Sequence, residues 1–309
     1  MRLIFMGTPE AAVPTVRRCI EDGHEVVAVW TQPDRPSGRG NKLHPPPVKD
    51  FALTHDLPVY QPAKIRNDET LSLFTSQKAD AAVVVAYGRI LPAPFLHTPR
   101  LGCINVHFSL LPEYRGAAPV AWAIVRGESR TGVTTMQMDE GLDTGPILLQ
   151  EEVVIASTET GPELMARLSA SGAALLSETL TRFAEIVPRQ QSEDKATFAP
   201  VLTREDGIID FALDATQIER RVRGFQPWPN AYTRSGMQRL IIWKASVVTE
   251  PRGEGEPGEI RVARKNDLIV SCGADTLLRL EEVQPEGKRR MSAADFLNGA
   301  GVQPGDRLG

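Results

Sequence analysis

The stretch RLIFMGTPE at residues 2–10 decides the fold class, because an apolar run there ends in a Gly-Thr-Pro turn. A near-continuous apolar run is typical of a strand that is buried on both faces. Thr8 is a suitable N-cap, which predicts a helix from this turn to about Asp22. A second apolar run, EVVAVWT at 25–31, follows. Buried strands that alternate with helices predict a parallel sheet covered on both sides.

The same alternation continues to the middle of the chain. The run ADAAVVVA at 79–86 predicts another buried strand, and residues 103–106 predict a shorter one. Residues 131–138 and 147–154 predict a hairpin at the edge of the sheet, and a long helix is expected over residues 160–186. Together, these segments indicate an α/β domain with a Rossmann-like, mostly parallel sheet.

The last third of the chain has a different pattern. Residues 189–206 are polar and contain proline, which predicts a linker between a first domain at 1–188 and a second at 207–309. After the linker come one helix, at about 215–223, and several short strands separated by Gly and Pro turns. This arrangement predicts a small OB-like β-barrel as the second domain.

Composition narrows the class of protein. The net charge is −4, so any RNA partner must be held by local basic patches and not by the overall field. Cys19, Cys103 and Cys272 are scattered, which predicts reduced thiols in a cytoplasmic protein. The apolar runs are too short to cross a bilayer, and no HExxH or CxxC pattern occurs. We therefore expect no membrane segment, no secretory signal and no metal, and a monomer because no coiled-coil pattern occurs.

The stretch LGCINVHFSLLPEYRGAAP at 101–119 carries the residues best suited to chemistry. Asn105 and His107 are two residues apart, so on a strand their side chains point to the same side of the sheet. Asp143 lies in the Gly-flanked turn MDEGLDTGP at 138–146, which can fold back beside His107. An amide and an imidazole can stabilise an oxyanion while a carboxylate orients the imidazole. This set predicts acyl transfer to an external amine, which needs no Ser or Cys nucleophile.

Each of these features also has a purely structural interpretation. An Asn/His pair is common near strand ends, and an aspartate at position 143 is an ordinary turn residue. The Gly-Thr-Pro turn at 7–9 lacks the spaced glycines of a dinucleotide site, which argues against a nicotinamide-dependent dehydrogenase. The pattern of residue types alone therefore leaves the function open.

A resemblance to a known family narrows the choice. The run NVHFSLLPEYRGAAP at 105–119 closely resembles the folate-site signature of the formyltransferases that use 10-formyltetrahydrofolate, and GLDTG at 141–145 resembles their Asp-bearing loop. The resemblance implies that Asn105, His107 and Asp143 are catalytic. It also implies that the backbone near residues 84–88 flanks the pterin. Four residues are implied to line the folate site: Ser109, Leu110, Leu111 and Pro112.

Other stretches resemble the members of this family that act on methionyl-tRNA. These stretches cover most of the chain: TQPDRPSGRGNKL at 31–43, VVVAYGRILP at 83–92, TGVTTMQMDEGLDTG at 131–145, RGFQPWPNAY at 223–232, WKASVV at 243–248 and GKRRMSAADFLNG at 287–299. The resemblance implies formyl transfer from 10-formyltetrahydrofolate to the methionine of initiator methionyl-tRNA. It also implies that tRNA is contacted by the loop at 32–48, the linker and the second domain. The implied contact residues are Arg35, Arg39, Lys42, Arg204, Lys288, Arg289 and Arg290.

Two positions depart from the family pattern, and three alternative functions stay open. Ala11 stands where an aromatic residue is usual, near the expected methionine pocket, and Val201 stands where the linker is often basic. One alternative is the same chemistry on another amine, such as that of a sugar nucleotide. The others are an RNA-binding module without catalysis and a hydrolase that releases formate from the folate.

Overall fold

The computed structural model describes residues 1–37, 42–249 and 255–309, which form two compact units. The first unit comprises residues 1–119, 130–154 and 165–199. The second unit comprises residues 120–129, 155–164 and 200–309. The division into domains at 1–188 and 207–309, joined by a linker at 189–206, stays a prediction.

A seven-stranded sheet forms the centre of the first unit. The strands of this unit are β1 (Arg2–Gly7), β2 (Glu25–Trp30), β3 (Arg35–Ser37), β4 (Lys42–His44), β5 (Val59–Tyr60), β6 (Ala81–Val85), β7 (Cys103–His107), β8 (Arg115–Gly116), β9 (Arg130–Gln137), β10 (Ile147–Val154) and β11 (Phe198–Ala199). The sheet has the order β10-β9-β7-β6-β1-β2-β5. Its strands are parallel from β7 to β5, whereas β9 and β10 are antiparallel at one edge. The predicted fold class and the edge hairpin are confirmed.

Eight α-helices lie in the described part of the chain. They are α1 (Val13–Glu21), α2 (Pro47–Thr54), α3 (Asp68–Ser76), α4 (Ala93–His97), α5 (Pro119–Arg126), α6 (Gly161–Thr181), α7 (Ala215–Gly224) and α8 (Ala293–Ala300). None of these helices has both the length and the apolar character that a membrane crossing requires.

The start of α1 differs from the prediction. A 3₁₀ turn at Glu10–Ala12 precedes the helix, and no side chain caps that turn. Thr8 instead donates its hydroxyl hydrogen to the backbone carbonyl of Tyr87, at 3.0 Å. The prediction that Thr8 caps the helix is therefore wrong. Its hydroxyl joins the turn after β1 to the turn after β6.

Both faces of the parallel sheet are buried, as the apolar strand runs predict. One face includes Ile4, Met6 and Trp30, which belong to a single apolar cluster with residues of α3 and α4. On the opposite face, α6 lies close to the sheet: a side chain at Gly172 would lie 2.9 Å from a methyl carbon of Val106. Along the parallel strands β1 and β2, the charged residues Arg2 and Glu25 stand at the strand starts, outside this core.

The second unit contains an antiparallel sheet. Its strands are β12 (Tyr232–Ser235), β13 (Gln238–Val248), β14 (Ile260–Arg264), β15 (Asp267–Cys272), β16 (Thr276–Pro285) and β17 (Met291–Ser292). They have the order β12-β13-β16-β15-β14, with β17 on β16. Arg307 bridges to Glu259 beside β14, and Leu308 bridges to Ser235 of β12. These two bridges connect opposite edges of the sheet, as in a closed barrel.

The three cysteines give a first prediction. All three are buried, and burial raises the pKa of Cys19, Cys103 and Cys272 to about 12 in each case. Their reactive thiolates therefore form only near pH 12, whereas unfolded thiols ionise near pH ~8.5. At pH 8, we expect iodoacetamide to label the folded protein far more slowly than protein in guanidinium chloride. Mass spectrometry of the adducts measures this, and equal labelling rates would contradict it.

Candidate active site

Asn105 and His107 lie at the carboxyl end of β7, between β6 and β9. Alternate residues of this strand point to opposite faces. Ile104 and Val106 are buried in the apolar core, at 0% and 2% exposure. Asn105 and His107 therefore share the other face, where they are 8% and 6% exposed. The alternation of side chains along β7 therefore places Asn105 and His107 on the same side of the sheet, as predicted.

His107 lies between a backbone carbonyl and a carboxylate. Its Nε2 is 3.0 Å from the carbonyl oxygen of Tyr114, which can only accept, so Nε2 carries a proton. Its Nδ1 is 3.7 Å from Oδ2 of Asp143, within ion-pair range but too far for a hydrogen bond. The imidazole therefore donates to the Tyr114 carbonyl from Nε2 and turns Nδ1 towards the carboxylate of Asp143.

Asp143 is held in place by the backbone of two loops. Its Oδ2 accepts a hydrogen bond from the backbone N–H of Gly116, at 2.7 Å. Its own φ is +54°, in the left-handed region that residues other than glycine seldom adopt. At Gly145, a β-carbon would lie 1.8 Å from the carbonyl oxygen of Gln137, so only glycine fits there. The structure therefore brings Asp143 to His107 by a tightly specified loop.

The predicted folate segment, residues 109–112, is fixed by side chains of the neighbouring antiparallel strands. Thr134 of β9 donates to the carbonyl of Ser109 at 2.7 Å and accepts from the N–H of Leu111 at 3.2 Å. Gln150 of β10 donates to the carbonyl of Leu111, at 2.8 Å. These three hydrogen bonds fix the backbone of the segment.

The four side chains of this segment differ in exposure. Ser109 and Leu111 are buried, at 0% and 3%, and the Ser109 hydroxyl donates to the carbonyl of Glu113 at 2.6 Å. Leu110 and Pro112 are half-buried. Leu110 and Pro112 therefore have side-chain surface that a ligand can contact. The contact with folate stays a prediction for all four residues.

A cavity of about 410 Å³ opens at the carboxyl ends of β1, β2 and β6. The turn after β6 lines the cavity and β6 pairs directly with β7, so the nearest part of the cavity lies one strand spacing, about 5 Å, from β7. The residues that line it come from four turns and the β3–β4 hairpin: Thr8, Pro9, Gln32, Pro33, Arg35, His44, Pro45, Pro46, Ala86, Tyr87 and Gly88.

The predicted tRNA-contacting residues fall into two groups. Arg35 lines the cavity, Lys42 belongs to β4 of the same hairpin, and Arg39 lies outside the described residues. The second group belongs to the second unit, where Arg204 precedes a 3₁₀ turn at Glu205–Gly207. The others, Lys288, Arg289 and Arg290, are exposed between β16 and β17.

Arg290 differs from the other basic residues of its group. It forms an ion pair with Glu282, and its guanidinium carbon lies 5.1 Å from the ring centre of Trp243. A guanidinium held over an aromatic ring can still donate hydrogen bonds to a phosphate from its open edge. Its role in tRNA binding stays a prediction.

Several residues around the site were not predicted from the sequence. Arg115 is 2% exposed and donates to Gln191 and Glu193. Gln191 in turn donates to carbonyls of the Asp143 loop. Arg115 could have been noticed, because it lies within the stretch at 101–119 and a buried arginine needs partners. Gln191 has no comparable signal, since it is one glutamine in a polar segment.

The chemistry available at this site is that of hydrogen-bond donors and one carboxylate. In residues 1–37, 42–249 and 255–309, no three His, Cys, Asp or Glu side chains cluster as they would around a metal ion. An amide, an imidazole and a carboxylate that meet at a sheet edge suit an acyl group with a developing oxyanion.

Comparisons of the sequence identify the family. Residues 1–180 match the family described as "Formyl transferase", and residues 201–301 match "Formyl transferase, C-terminal domain". A methionyl-tRNA formyltransferase of Geobacter metallireducens is 50% identical and covers 100% of this chain and 99% of its own. The methionyl-tRNA formyltransferase of Bacillus subtilis is 46% identical, with coverage of 100% and 98%. These matches confirm the resemblance that the motifs indicate.

Solved structures share the fold. The sugar 3N-formyl transferase WlaRD, solved with dTDP and 5-N-formyl-THF, has a TM-score of 0.67 at 16% identity, with 94% of this chain and 99% of that chain covered. HypX from Aquifex aeolicus, solved with tetrahydrofolic acid, has a TM-score of 0.65 at 16% identity, with coverage of 97% and 48%. At these identities the likeness concerns the fold alone. The chain therefore belongs to the formyl transferase family, and the two relatives that match it at 46% and 50% identity along its whole length are methionyl-tRNA formyltransferases.

Proposed function

We propose that this protein transfers the formyl group of 10-formyltetrahydrofolate to the α-amino group of methionine on initiator tRNA. The product is N-formylmethionyl-tRNA, which is used to initiate translation. The observation that carries this assignment is the 50% identity to a methionyl-tRNA formyltransferase along the whole chain, second domain included. A sugar-nucleotide acceptor is favoured only by structures that are 16–17% identical, so it is the weaker alternative.

The residues of the site fit the needs of the transfer. Bound 10-formyltetrahydrofolate supplies the formyl carbon, and tetrahydrofolate leaves when the bond from that carbon to N10 breaks. The side-chain N–H of Asn105 donates to the formyl oxygen as the methionine amine attacks and negative charge develops. Nδ1 of His107 is a second donor to this oxygen when it carries a proton, because at 3.7 Å from Asp143 it is not engaged in a hydrogen bond there.

Asp143 has two roles in this proposal. It holds the imidazole of His107 in place, and it accepts the proton that the amine loses, directly or through a water. N10 gains one proton as it departs, so the transfer needs no net acid or base. Holding the amine and the formyl carbon about 3–3.5 Å apart supplies much of the rate acceleration, because the reactants are already positioned.

The folate fits next to the strand that carries Asn105. Immediately after β6, Ala86 and Gly88 have φ values of +46° and +83°, so the chain turns sharply there. Such a turn exposes backbone N–H and C=O groups at the carboxyl edge of the sheet, where ligands of α/β folds bind. We assign residues 84–88 to the pterin and residues 109–112 to the part of the folate that carries the formyl group.

The methionyl end of the tRNA fits the 410 Å³ cavity. Pro9 and Pro33, which follow β1 and β2, give this cavity apolar walls, which suit a thioether side chain. Arg35 and His44, which also line the cavity, can approach the phosphates of the tRNA end. Ala11 belongs to the 3₁₀ turn that follows Pro9, so the missing aromatic ring leaves more room on this side.

The proposal includes a cytoplasmic, monomeric protein. Initiator tRNA and reduced folate are found in the cytoplasm, and no membrane-crossing helix occurs in the described residues. Size-exclusion chromatography with light scattering tests the monomer against the chain mass of 33.8 kDa.

One assay tests the main assignment. Purified protein is mixed with 10-formyltetrahydrofolate labelled in the formyl group and with methionyl-tRNA, and the amino acid is analysed after deacylation. Labelled formylmethionine is the expected product. Parallel reactions contain an amino-sugar nucleotide or no acceptor at all. A product only with the sugar would favour the alternative acceptor, and release of formate alone would favour the hydrolase.

Arg35 provides a test of the tRNA-binding loop. We expect Arg35→Ala to raise the KM for methionyl-tRNA several-fold and to lower the salt dependence of kcat/KM by about one unit of log–log slope, because one phosphate contact is lost. The kcat at saturating tRNA should stay within about twofold. Arg66→Ala, which alters an exposed arginine outside the cavity lining, is the matched control. An unchanged KM would reject the assignment of Arg35.

A further inference from the structure

Residues 189–199, predicted as part of a linker, are hydrogen-bonded to both loops of the site. We call these residues the strap. Arg189 exchanges two backbone hydrogen bonds with Ile147, each of 2.8 Å. Further along, Thr197 donates from its N–H to the carbonyl of Pro112 at 3.3 Å and accepts from the N–H of Arg115 at 2.9 Å. The strap therefore joins the end of the Asp143 loop to the segment that follows the predicted folate residues.

Gln191 is the residue through which the strap contacts the Asp143 loop. Its Nε2 donates to the carbonyl oxygen of Asp143 at 2.8 Å and to that of Gly145 at 2.7 Å. Its Oε1 accepts from Nε and Nη2 of Arg115, at 3.1 and 2.9 Å. These bonds use both donors and both lone pairs of the amide, so only one orientation of the side chain satisfies them.

Arg115 fixes that orientation. Its guanidinium is almost completely buried, and it also forms two hydrogen bonds of 2.9 Å with Glu193 of the strap. A buried cation requires partners that accept hydrogen bonds. If the Gln191 amide flipped, its NH₂ would face the guanidinium and its oxygen would face two carbonyls. The amide oxygen therefore stays on Arg115, and the NH₂ group stays on the loop.

The two carbonyls that Gln191 holds belong to Asp143 itself and to Gly145, two residues later. Asp143 has a left-handed backbone, which persists only where surrounding contacts impose it. The position of its carboxylate relative to His107 depends on that backbone. The carboxylate is also held by the N–H of Gly116, which belongs to a second loop. Loss of the Gln191 donors would free the loop on one side while the bond to Gly116 remains.

We propose that Gln191 is a positioning residue, which sets the place of Asp143 by holding the carbonyls of residues 143 and 145. It does not touch the proposed reacting atoms and acts through the loop. This inference rests on the proposed formyl transfer, in which Asp143 faces His107. The inference gives a positioning role to the strap, which the sequence predicts as part of the linker.

Gln191→Glu tests the proposal. The carboxylate keeps an acceptor for Arg115 but loses both donors to the loop and places an oxygen against two carbonyls. We expect kcat to fall about 10–100-fold, as for residues that orient a functional group. The KM values for folate and tRNA should stay within about threefold, because neither ligand is contacted. Gln191→Ala should give the same pattern, and it replaces the first variant if that one does not fold.

Gln190→Glu is the matched control. It introduces the same charge one residue earlier, at an exposed position, and should leave kcat within about twofold. If Gln191→Glu and Gln191→Ala both turn over within about threefold of the unchanged protein, the proposal is wrong. It is equally wrong if Gln190→Glu is as slow as Gln191→Glu, since the effect would then be one of general charge.

Hydrogen exchange separates this inference from the proposed function. Backbone amides of residues 139–145 should exchange faster in both Gln191 variants, whereas the amides of β6 should be unchanged. If the unchanged protein does not formylate methionyl-tRNA, the proposed function fails, and the exchange of residues 139–145 still shows whether Gln191 holds the loop. Unchanged exchange in both variants would overturn the positioning role.

Discussion

Asn105→Ala is expected to lower kcat by about 100–1,000-fold, the usual cost of removing one donor to an oxyanion. The strand β7 places this amide on the same face as His107, and the residue is only 8% exposed, so little water can replace the lost N–H. Affinity for methionyl-tRNA should stay within about threefold, because the donor acts on charge that develops in the transition state. Single-turnover kinetics with saturating folate measure the effect.

The control for this variant is Asn298→Ala, which removes an exposed amide on α8 of the second unit. Its turnover should match that of the unchanged protein. A turnover of Asn105→Ala close to that of the control would rule out the oxyanion role. A loss of tRNA affinity in place of turnover would instead assign Asn105 to substrate binding.

Asp143→Asn is expected to lower kcat by about 100-fold or more, within the range for the loss of a positioned proton acceptor. The amide oxygen can still accept from the backbone N–H of Gly116, so the loop keeps its anchor. The charge that faces Nδ1 of His107 and receives the amine proton is lost. The comparison of kcat with KM for both substrates measures whether the defect is chemical.

Asp139→Asn is the control within the same loop. Its Oδ1 accepts from the N–H of Gly141 at 3.1 Å and from the hydroxyl of Thr144 at 2.7 Å, and an amide oxygen can accept both. This variant should keep kcat within about threefold. An Asp143→Asn enzyme that is as active as the Asp139→Asn enzyme would contradict the assigned role.

The strands of the first domain could be predicted because burial on both faces leaves a simple signal. Residues 3–6 and 81–85 are apolar without alternation, and both lie in inner strands of the parallel sheet. The helix start could not be predicted, because the hydroxyl of Thr8 bonds to Tyr87, far away in the chain. Local capping rules do not include such a partner.

The geometry of the site could be predicted only for residues that are close together in the sequence. Asn105 and His107 are two residues apart on a strand, so their common direction follows from the pleat. Asp143 reaches His107 through a loop that the family motif indicates but local rules do not fix. Gln191 was not predictable, because it is 76 residues from Arg115 and 48 from Asp143 along the chain. Its role depends on tertiary contacts alone.

The place of the strap in the chain determines the order in which the protein can assemble during synthesis. All seven strands of the first sheet have left the ribosome once Val154 has emerged, so the sheet can form early. The amide that anchors the Asp143 loop is translated only at residue 191. A nascent or prematurely ended chain can therefore contain the complete sheet while the Asp143 loop still lacks its contacts with Gln191. The Asp143 loop therefore gains its full set of hydrogen bonds only after the strap has been synthesised.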